Sequence, residues 1–391
     1  MSLYIDLSEF LATPITTGIQ RIAGEMCRYL PPNSAIPVRL NLDRYIALSP
    51  ALISAIGKYF RDPSKSGAAE IRRLGELENG LPVTISPEDS VLVPEAFDEP
   101  ARLTFFRSMP ERDLQRYRFI IYDLLPLTHP EYFPRDTVLA FSAGYFQIIR
   151  RATNCGFISE ETREAYFRRL KRTDRREGVV LPLGCDSLGQ KPDRITLDRP
   201  LTFSVLGTIE PRKNHELILD AFEPLLRQVD GLTLSFIGKI GWVDPEFARR
   251  VQTLASHKNS GLRFHSARGD HEIRSYIEQS RATIYVSSAE GYGLPPVESL
   301  WVGTPVIASS TIPSLKDLRS EGIHYVEPLT VLNLRRAVLA FLDDDYANQK
   351  AQETANLNLP TWNSFTREVI RWCANDQPTR QASEPSGLSR S

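Results

Sequence analysis

Short apolar runs alternate with helix-period segments along most of this chain, and that alternation restricts the fold more than any other feature. It is clearest in the second half, where Leu201-Thr-Phe-Ser-Val-Leu206, Leu232-Thr-Leu-Ser-Phe-Ile237, Ala282-Thr-Ile-Tyr-Val286 and Pro305-Val-Ile-Ala308 read as buried strands. Between them, residues 216–229, 244–256 and 270–279 carry helical periodicity. Strand and helix in strict turn predict parallel sheets flanked by helices. The first half repeats the pattern less cleanly. A strand over residues 3–7 precedes a helix over 18–30, and later strands fall at Ser90-Val-Leu-Val93, Arg118-Phe-Ile-Ile121, Cys155-Gly-Phe-Ile158 and Val179-Val-Leu-Pro-Leu183. From Pro31 to Pro100, Pro and Gly punctuate the chain too heavily for elements to be read.

The periodic signal breaks at residues 184–200, which are rich in Gly, Pro and charge. A chain of 391 residues can bury two cores, so the break predicts an N-terminal domain over 1–190 and a C-terminal domain over 196–358. A helix-like segment follows Pro360, and the polar residues 376–391 read as a disordered tail. Ligands of open α/β sheets sit beyond the carboxyl ends of the strands, often between domains. The loops after strands are therefore where chemistry is expected.

A formal net charge of -1 gives no global attraction to nucleic acid or to an anionic membrane. The first ten residues carry acidic groups where a secretory leader needs a basic start and an apolar run, and no stretch is long enough to span a bilayer. The four cysteines are scattered, as expected of reduced thiols in a cytoplasmic protein rather than of a metal site or a disulfide framework.

Four loops carry candidate chemistry. The first, Gly207-Thr-Ile-Glu-Pro-Arg-Lys-Asn-His215, follows a strand and sets Arg212 and Lys213 just before a helix N-terminus, a plausible clamp for a diphosphate. The alternative is a solvated basic turn. The second, Ser287-Ser-Ala-Glu-Gly-Tyr-Gly-Leu-Pro-Pro-Val-Glu-Ser299, has glycines that let a ligand approach the backbone and prolines suited to a first helical turn. Glu290 would face the cleft from this loop. Glu298 would lie one turn into the helix, able to accept from paired hydroxyls. In the third, Thr16-Thr-Gly-Ile-Gln-Arg21, Gly18 could lie against a phosphate from the opposite domain, although a lone Gly before a helix is usually a turn. In the fourth, Asp123 and His129 stand after the strand ending at Ile121, where acid/base residues tend to sit; capping of the next element is the alternative for Asp123.

At these residues the chain resembles the retaining glycosyltransferases of family 4, which have the GT-B fold. The likeness rests on Glu290-Gly-Tyr-Gly-Leu-Pro-Pro-Val-Glu298, Gly303-Thr-Pro-Val-Ile-Ala308, Gly207-Thr-Ile-Glu-Pro-Arg-Lys-Asn214, Gly238-Lys-Ile-Gly-Trp242 and Leu181-Pro-Leu-Gly-Cys-Asp186. In the first half only Thr17-Gly-Ile-Gln-Arg21 and Asp123-Leu-Leu-Pro-Leu-Thr-His-Pro-Glu131 share it, both as in transferases of bacterial surface polysaccharides such as lipopolysaccharide. The resemblance implies two Rossmann-like domains facing each other across a cleft, with a last helix over 359–375 packing back on the first. It places Glu290 at the donor sugar, Glu298 on the nucleotide ribose, and the amides of Gly291, Tyr292, Gly293 and Leu294 on sugar hydroxyls or phosphate. Arg212 and Lys213, with Gly207 and Thr208 beside them, would neutralise the leaving diphosphate without a metal or other cofactor. Asp123 would be catalytic and His129 an acceptor-side candidate. Many relatives carry His where Tyr122 stands, and Gly-Arg where Gly207-Thr208 stands.

The implied reaction transfers a hexose with retention to a saccharide or lipid-linked saccharide. Residues 208–214 and 238–242 resemble mannosyltransferases, which favours mannose or a related deoxyhexose from a GDP-sugar. A sugar-nucleotide epimerase of the same architecture and a nucleotide-binding partner subunit of low activity are the alternatives. Two charge clusters read as decoys: Asp343-Asp-Asp345 as a solvated helix end, and the arginines at 168–176 as a solvated face. The latter would give peripheral contact with the inner face of the membrane at most.

Overall fold

The computed structural model describes residues 2–14, 18–61, 65–77, 80–171, 178–266, 269–318 and 320–375, so the tail expected over 376–391 and Arg172, Arg175 and Arg176 lie outside the described residues. In the first domain the strands are β1 (Leu3–Asp6), β2 (Ile36–Asn41), β3 (Arg44–Ala47), β4 (Pro82–Val83), β5 (Ser90–Val93), β6 (Tyr117–Ile121), β7 (Asn154–Phe157) and β8 (Val179–Val180). They form one sheet in the order β4-β3-β2-β1-β5-β6-β7-β8. Neighbours from β2 to β8 through β1 run parallel, as the alternation requires, but β3 and β4 are antiparallel additions at one edge. Sequence reading misses that edge for a physical reason. The β2–β3 hairpin turns at Leu42-Asp43, and Leu42 adopts φ 59°, a conformation normally signalled by Gly or Asn.

The second domain holds β9 (Thr202–Leu206), β10 (Thr233–Ile237), β11 (Leu262–His265), β12 (Ala282–Tyr285), β13 (Val306–Ser309) and β14 (Ile323–Val326). Every pairing is parallel and the order is β11-β10-β9-β12-β13-β14. This is a doubly wound sheet whose direction of winding reverses between β9 and β12. The burial pattern of β12 and β13 is unbroken, as expected for strands covered on both faces.

One apolar core belongs to the first sheet, around Phe106, Phe119 and Phe157, and another to the second, around Phe203, Phe222 and Phe236. A third runs between the domains, joining Phe10 and Ile22 on one side to Val297 and Leu300 on the other through Leu181 and Leu183 of the linker. The chain returns to the first domain at Pro360, whose carbonyl accepts from the Cys185 N–H at 3.0 Å. The final helix, Trp362–Asn375, packs on the helix Ile19–Tyr29, and fully buried Trp362 ties it to the linker by donating its N–H to Asp186 at 2.7 Å.

Candidate active site

The two loops flanking the β9/β12 reversal are stitched together by backbone and amide bonds. After β9, a single 3-10 turn (Pro211–Lys213) and left-handed Asn214 lead into the helix His215–Gln228. The Asn214 side-chain amide donates to the Val286 carbonyl at 2.7 Å and to the Ser288 hydroxyl at 2.8 Å. The Ser288 N–H donates to the Arg212 carbonyl at 2.7 Å, and Arg212 donates to the Ala289 carbonyl at 3.0 Å. In the sequence Asn214 stands only as part of a motif, and its tie to the second loop could not be read there.

This stitching concentrates charge. Arg212 pairs with Glu290 at 2.5 Å and Glu210 at 2.6 Å, and Glu290 also accepts from Ser287 at 2.9 Å. Lys213 stands 3.7 Å from Glu210, its ammonium lying against Gly207 and next to Thr208-Ile209 of the same loop. Burial alone would lower the Arg212 guanidinium; Glu290 and Glu210 outweigh it and hold it above its ordinary value. Burial pushes Lys213 down, and Arg212 adds to the effect. A small cavity of about 50 Å³ opens among Lys213, Ser287, Glu290 and Gly293 at the carboxyl ends of β9 and β12. Two cations and two carboxylates thus pair with one another beside this cavity, which Lys213 and Glu290 line. Glu210, buried at the turn, was inside a recognised motif without a role assigned to it.

Beyond Glu290 the loop turns into the helix Leu294–Trp301 through Gly293, which holds φ 86° and would otherwise press a side chain on Ile312. Pro295 and Pro296 occupy its first turn, where an absent N–H costs nothing. Glu298 follows one turn in and is buried, accepting from the Ser187 hydroxyl at 2.5 Å. Burial raises its carboxyl, opposed by Arg21 and by the Ser187 hydrogen bond. Tyr292 is buried too, its hydroxyl donating to the Leu183 carbonyl at 3.2 Å.

The first domain closes directly on this loop. The Gly291 carbonyl accepts from Ser159 at 2.6 Å and Thr162 at 3.2 Å, both at the start of the helix Glu160–Leu170. A Cβ at Gly291 would stand 2.5 Å from the Tyr122 carbonyl and 2.8 Å from the Asp123 Cβ, so glycine here permits contact between domains. Asp123 caps the Leu125 N–H at 3.0 Å while facing Arg212 and Glu290. Burial raises its carboxyl, and the Leu125 N–H and Arg212 counter that. The capping and the cleft-facing readings of Asp123 therefore coexist. Tyr122 is buried, with its hydroxyl on the Pro94 carbonyl.

Gly18 is exposed at the N-terminus of the helix Ile19–Tyr29, with open space where a Cβ would point. His129 is not brought to the Glu290 cluster; it contacts Thr128 and stacks on Tyr132. There Trp242, from the loop after β10, donates to the Tyr132 carbonyl at 2.7 Å and packs on Phe133, forming a second bridge across the cleft. Asp343 caps the helix Asp344–Glu353, and Asp344 pairs with Arg281, so that acidic run is structural. Arg168 pairs with Glu164 in the last turns of its helix. Among the described residues no helix is long and apolar enough to cross a membrane.

Two facing α/β domains, with loops from the carboxyl ends of both sheets meeting over a charged cleft, define a GT-B architecture. Residues 190–357 match the family described as Glycosyl transferases group 1. It is 29% identical over 170 residues to the serotype-specific mannosyltransferase WbdA of Escherichia coli, a match covering 44% of this chain and 20% of that protein. It is 25% identical over 275 residues to the O-antigen chain mannosyltransferase B of Escherichia coli, covering 67% of this chain and 71% of the relative. The chain thus spans about a fifth of the first relative's length. Among solved structures, Anabaena Alr3699/HepE in complex with UDP superposes with a TM-score of 0.62 at 13% identity, covering 96% of this chain and 100% of that one. WaaG, a glycosyltransferase involved in lipopolysaccharide biosynthesis, gives 0.62 at 11% identity, with 96% and 100% covered. At such identities these two show the fold.

Proposed function

We propose that this protein is a retaining glycosyltransferase of polysaccharide biosynthesis, moving a hexose from a nucleoside-diphosphate sugar to a saccharide or lipid-linked saccharide. The observation that carries the reading is the convergence of Arg212, Lys213 and Glu290 with Asp123 across the cleft, at the loop that leads into the helix bearing Glu298. The donor diphosphate displaces Glu210 and Glu290 from the cations, which then stabilise the charge developing on the leaving phosphate. Glu298 accepts from the ribose hydroxyls, and Glu290, released from Arg212, faces the donor sugar. The bond from the anomeric carbon to the phosphate oxygen breaks as the acceptor oxygen bonds to the same face. The acceptor proton passes to the departing phosphate. Arg212 and Lys213 do here what a metal ion does in other transferases, and Asp123 borders the acceptor side.

GDP-mannose is the favoured donor. Support comes from the two Escherichia coli relatives, both named as mannosyltransferases, and from the motifs at 208–214 and 238–242. A thermal-shift panel of GDP-, UDP-, dTDP- and ADP-sugars, followed by product analysis with oligosaccharide acceptors, tests this. The expected result is stabilisation by GDP-sugars and acceptor-dependent release of GDP that Glu290→Gln abolishes. Epimerised nucleotide sugar formed without an acceptor would overturn the reading.

A further inference from the structure

Glu298, in the proposed donor site, takes its counter-charge from the other domain. Its Oε1 accepts from Ser187 of the linker and from Arg21 Nη1 at 3.3 Å, and Arg21 belongs to the first domain's helix Ile19–Tyr29. The same guanidinium uses Nη2 to reach Asp270 at 2.5 Å, at the start of the helix Asp270–Glu278. One planar fork therefore joins two carboxylates from two helices of the second domain, a geometry that Arg provides and Lys only partly reproduces. All three groups are sequestered, with side-chain exposures of 11% for Arg21, 9% for Glu298 and 21% for Asp270.

An ionised carboxylate is costly in such a place unless it is paired. Without Arg21, Glu298 would face Asp270 with only a neutral hydroxyl as partner among the described residues, and both burial and like charge would favour its protonated form. A protonated Glu298 is a poorer acceptor. The ribose hydroxyls would then lose a charge-assisted hydrogen bond.

From this geometry we infer that Arg21 is a positioning residue of the donor site: it reaches across the closed cleft, holds Glu298 ionised through Oε1, and leaves Oε2 to accept from the ribose of a nucleoside diphosphate. The inference rests on the reading of Glu298 as the ribose ligand. It adds that this ligand is completed only when the domains meet, because the cation that makes it competent stands on the domain opposite.

The test is to compare Kd values of GDP, UDP and ADP with those of their 2′,3′-dideoxy forms, by calorimetry, on the wild type, Arg21→Ala and Arg21→Lys. The wild type should bind the ribose form of its preferred nucleotide at least about tenfold more tightly, as a hydrogen bond to a charged group implies. In Arg21→Ala that ratio should fall to within about twofold of unity, and Arg21→Lys, which keeps the charge but not the fork, should recover only part of it. Should the alanine variant fail to fold, Arg21→Gln keeps the bulk without the charge and takes its place. Equal weakening of both forms in Arg21→Ala, with the ratio unchanged, would overturn the inference and leave Arg21 a mere closure contact. A wild type that does not distinguish ribose from dideoxyribose for any of the three bases would instead refute the assignment of Glu298.

Discussion

The two domains reach the cleft by different routes. In the second domain the charged groups are close in sequence as well as in space: Glu210, Arg212 and Lys213 share one turn, and Glu290 lies eight residues before Glu298. A six-stranded parallel sheet with one winding reversal delivers both loops to the same place. The first domain contributes isolated residues from distant segments, namely Arg21, Asp123, Ser159 and Thr162, each touching the other domain's loop or helix. On the proposed function, one domain holds the donor's charge and the other completes the site.

The most severe way to break this division is Glu290→Gln, which removes one partner of Arg212 and, on the proposed function, the carboxylate that faces the donor sugar. We expect transfer to fall by roughly 100-fold or more in kcat, with donor Kd changed far less, as for loss of one preorganised electrostatic contact. Gly291→Ala attacks the meeting of the domains instead. With a methyl group in the space of the Tyr122 carbonyl, the cleft cannot close fully. Our expectation is a drop of about tenfold or more in kcat, of the order seen for about 1.4 kcal/mol or more of lost transition-state stabilisation, together with a larger radius of gyration in solution scattering. Unchanged scattering and kcat would mean that closure does not use this contact.

The domains should also separate by pH. Glu95, after β5, is fully buried, with one oxygen on the Phe10 N–H at 3.0 Å. Burial pushes its carboxyl up to about 8, against the pull of Arg102. The folded state thus keeps a proton that the unfolded chain releases near pH 4.5, and the stability this gives is lost as pH rises from there through about 8. Glu95→Gln should therefore gain on the wild type in denaturant melts by about 1 kcal/mol per pH unit across that window. His215, in the second domain, behaves oppositely. Burial against Phe236 lowers its imidazole to about 3, and neither ring nitrogen has a hydrogen-bond partner among the described residues. Stability is lost as pH falls from 6.5 toward 3, and His215→Leu should flatten that acid limb by a similar slope. The smallest effect expected is from Gly57→Ala, at a half-buried position of the helix Pro50–Arg61, where an added Cβ meets nothing among the described residues. It should stabilise the fold by about 0.5–1 kcal/mol without altering transfer, the opposite of the same substitution at Gly291.

What the sequence determined by itself was the alternation, and with it the parallel sheets, the two cores and the positions of the loops. It also determined the second domain's chemistry, because a tight strand–turn–helix connection places Arg212 beside Lys213, and Glu298 one turn beyond the Gly-Pro loop, whatever the rest of the chain does. Several things could be decided only in three dimensions. The edge strands were hidden by a hairpin turn built on Leu42 rather than glycine. Asp123 was ambiguous because capping and facing the cleft need the same residue in the same place. Arg21 closed a recognised motif, but nothing local named its partners: they are 249 and 277 residues away, and an arginine on a helix face ordinarily reaches solvent. Periodicity and motif spacing describe the chain's near neighbours. The charge balance of a cleft depends on what the closed domains bring within about 3 Å of each other, where pairing and exclusion of water set its energy.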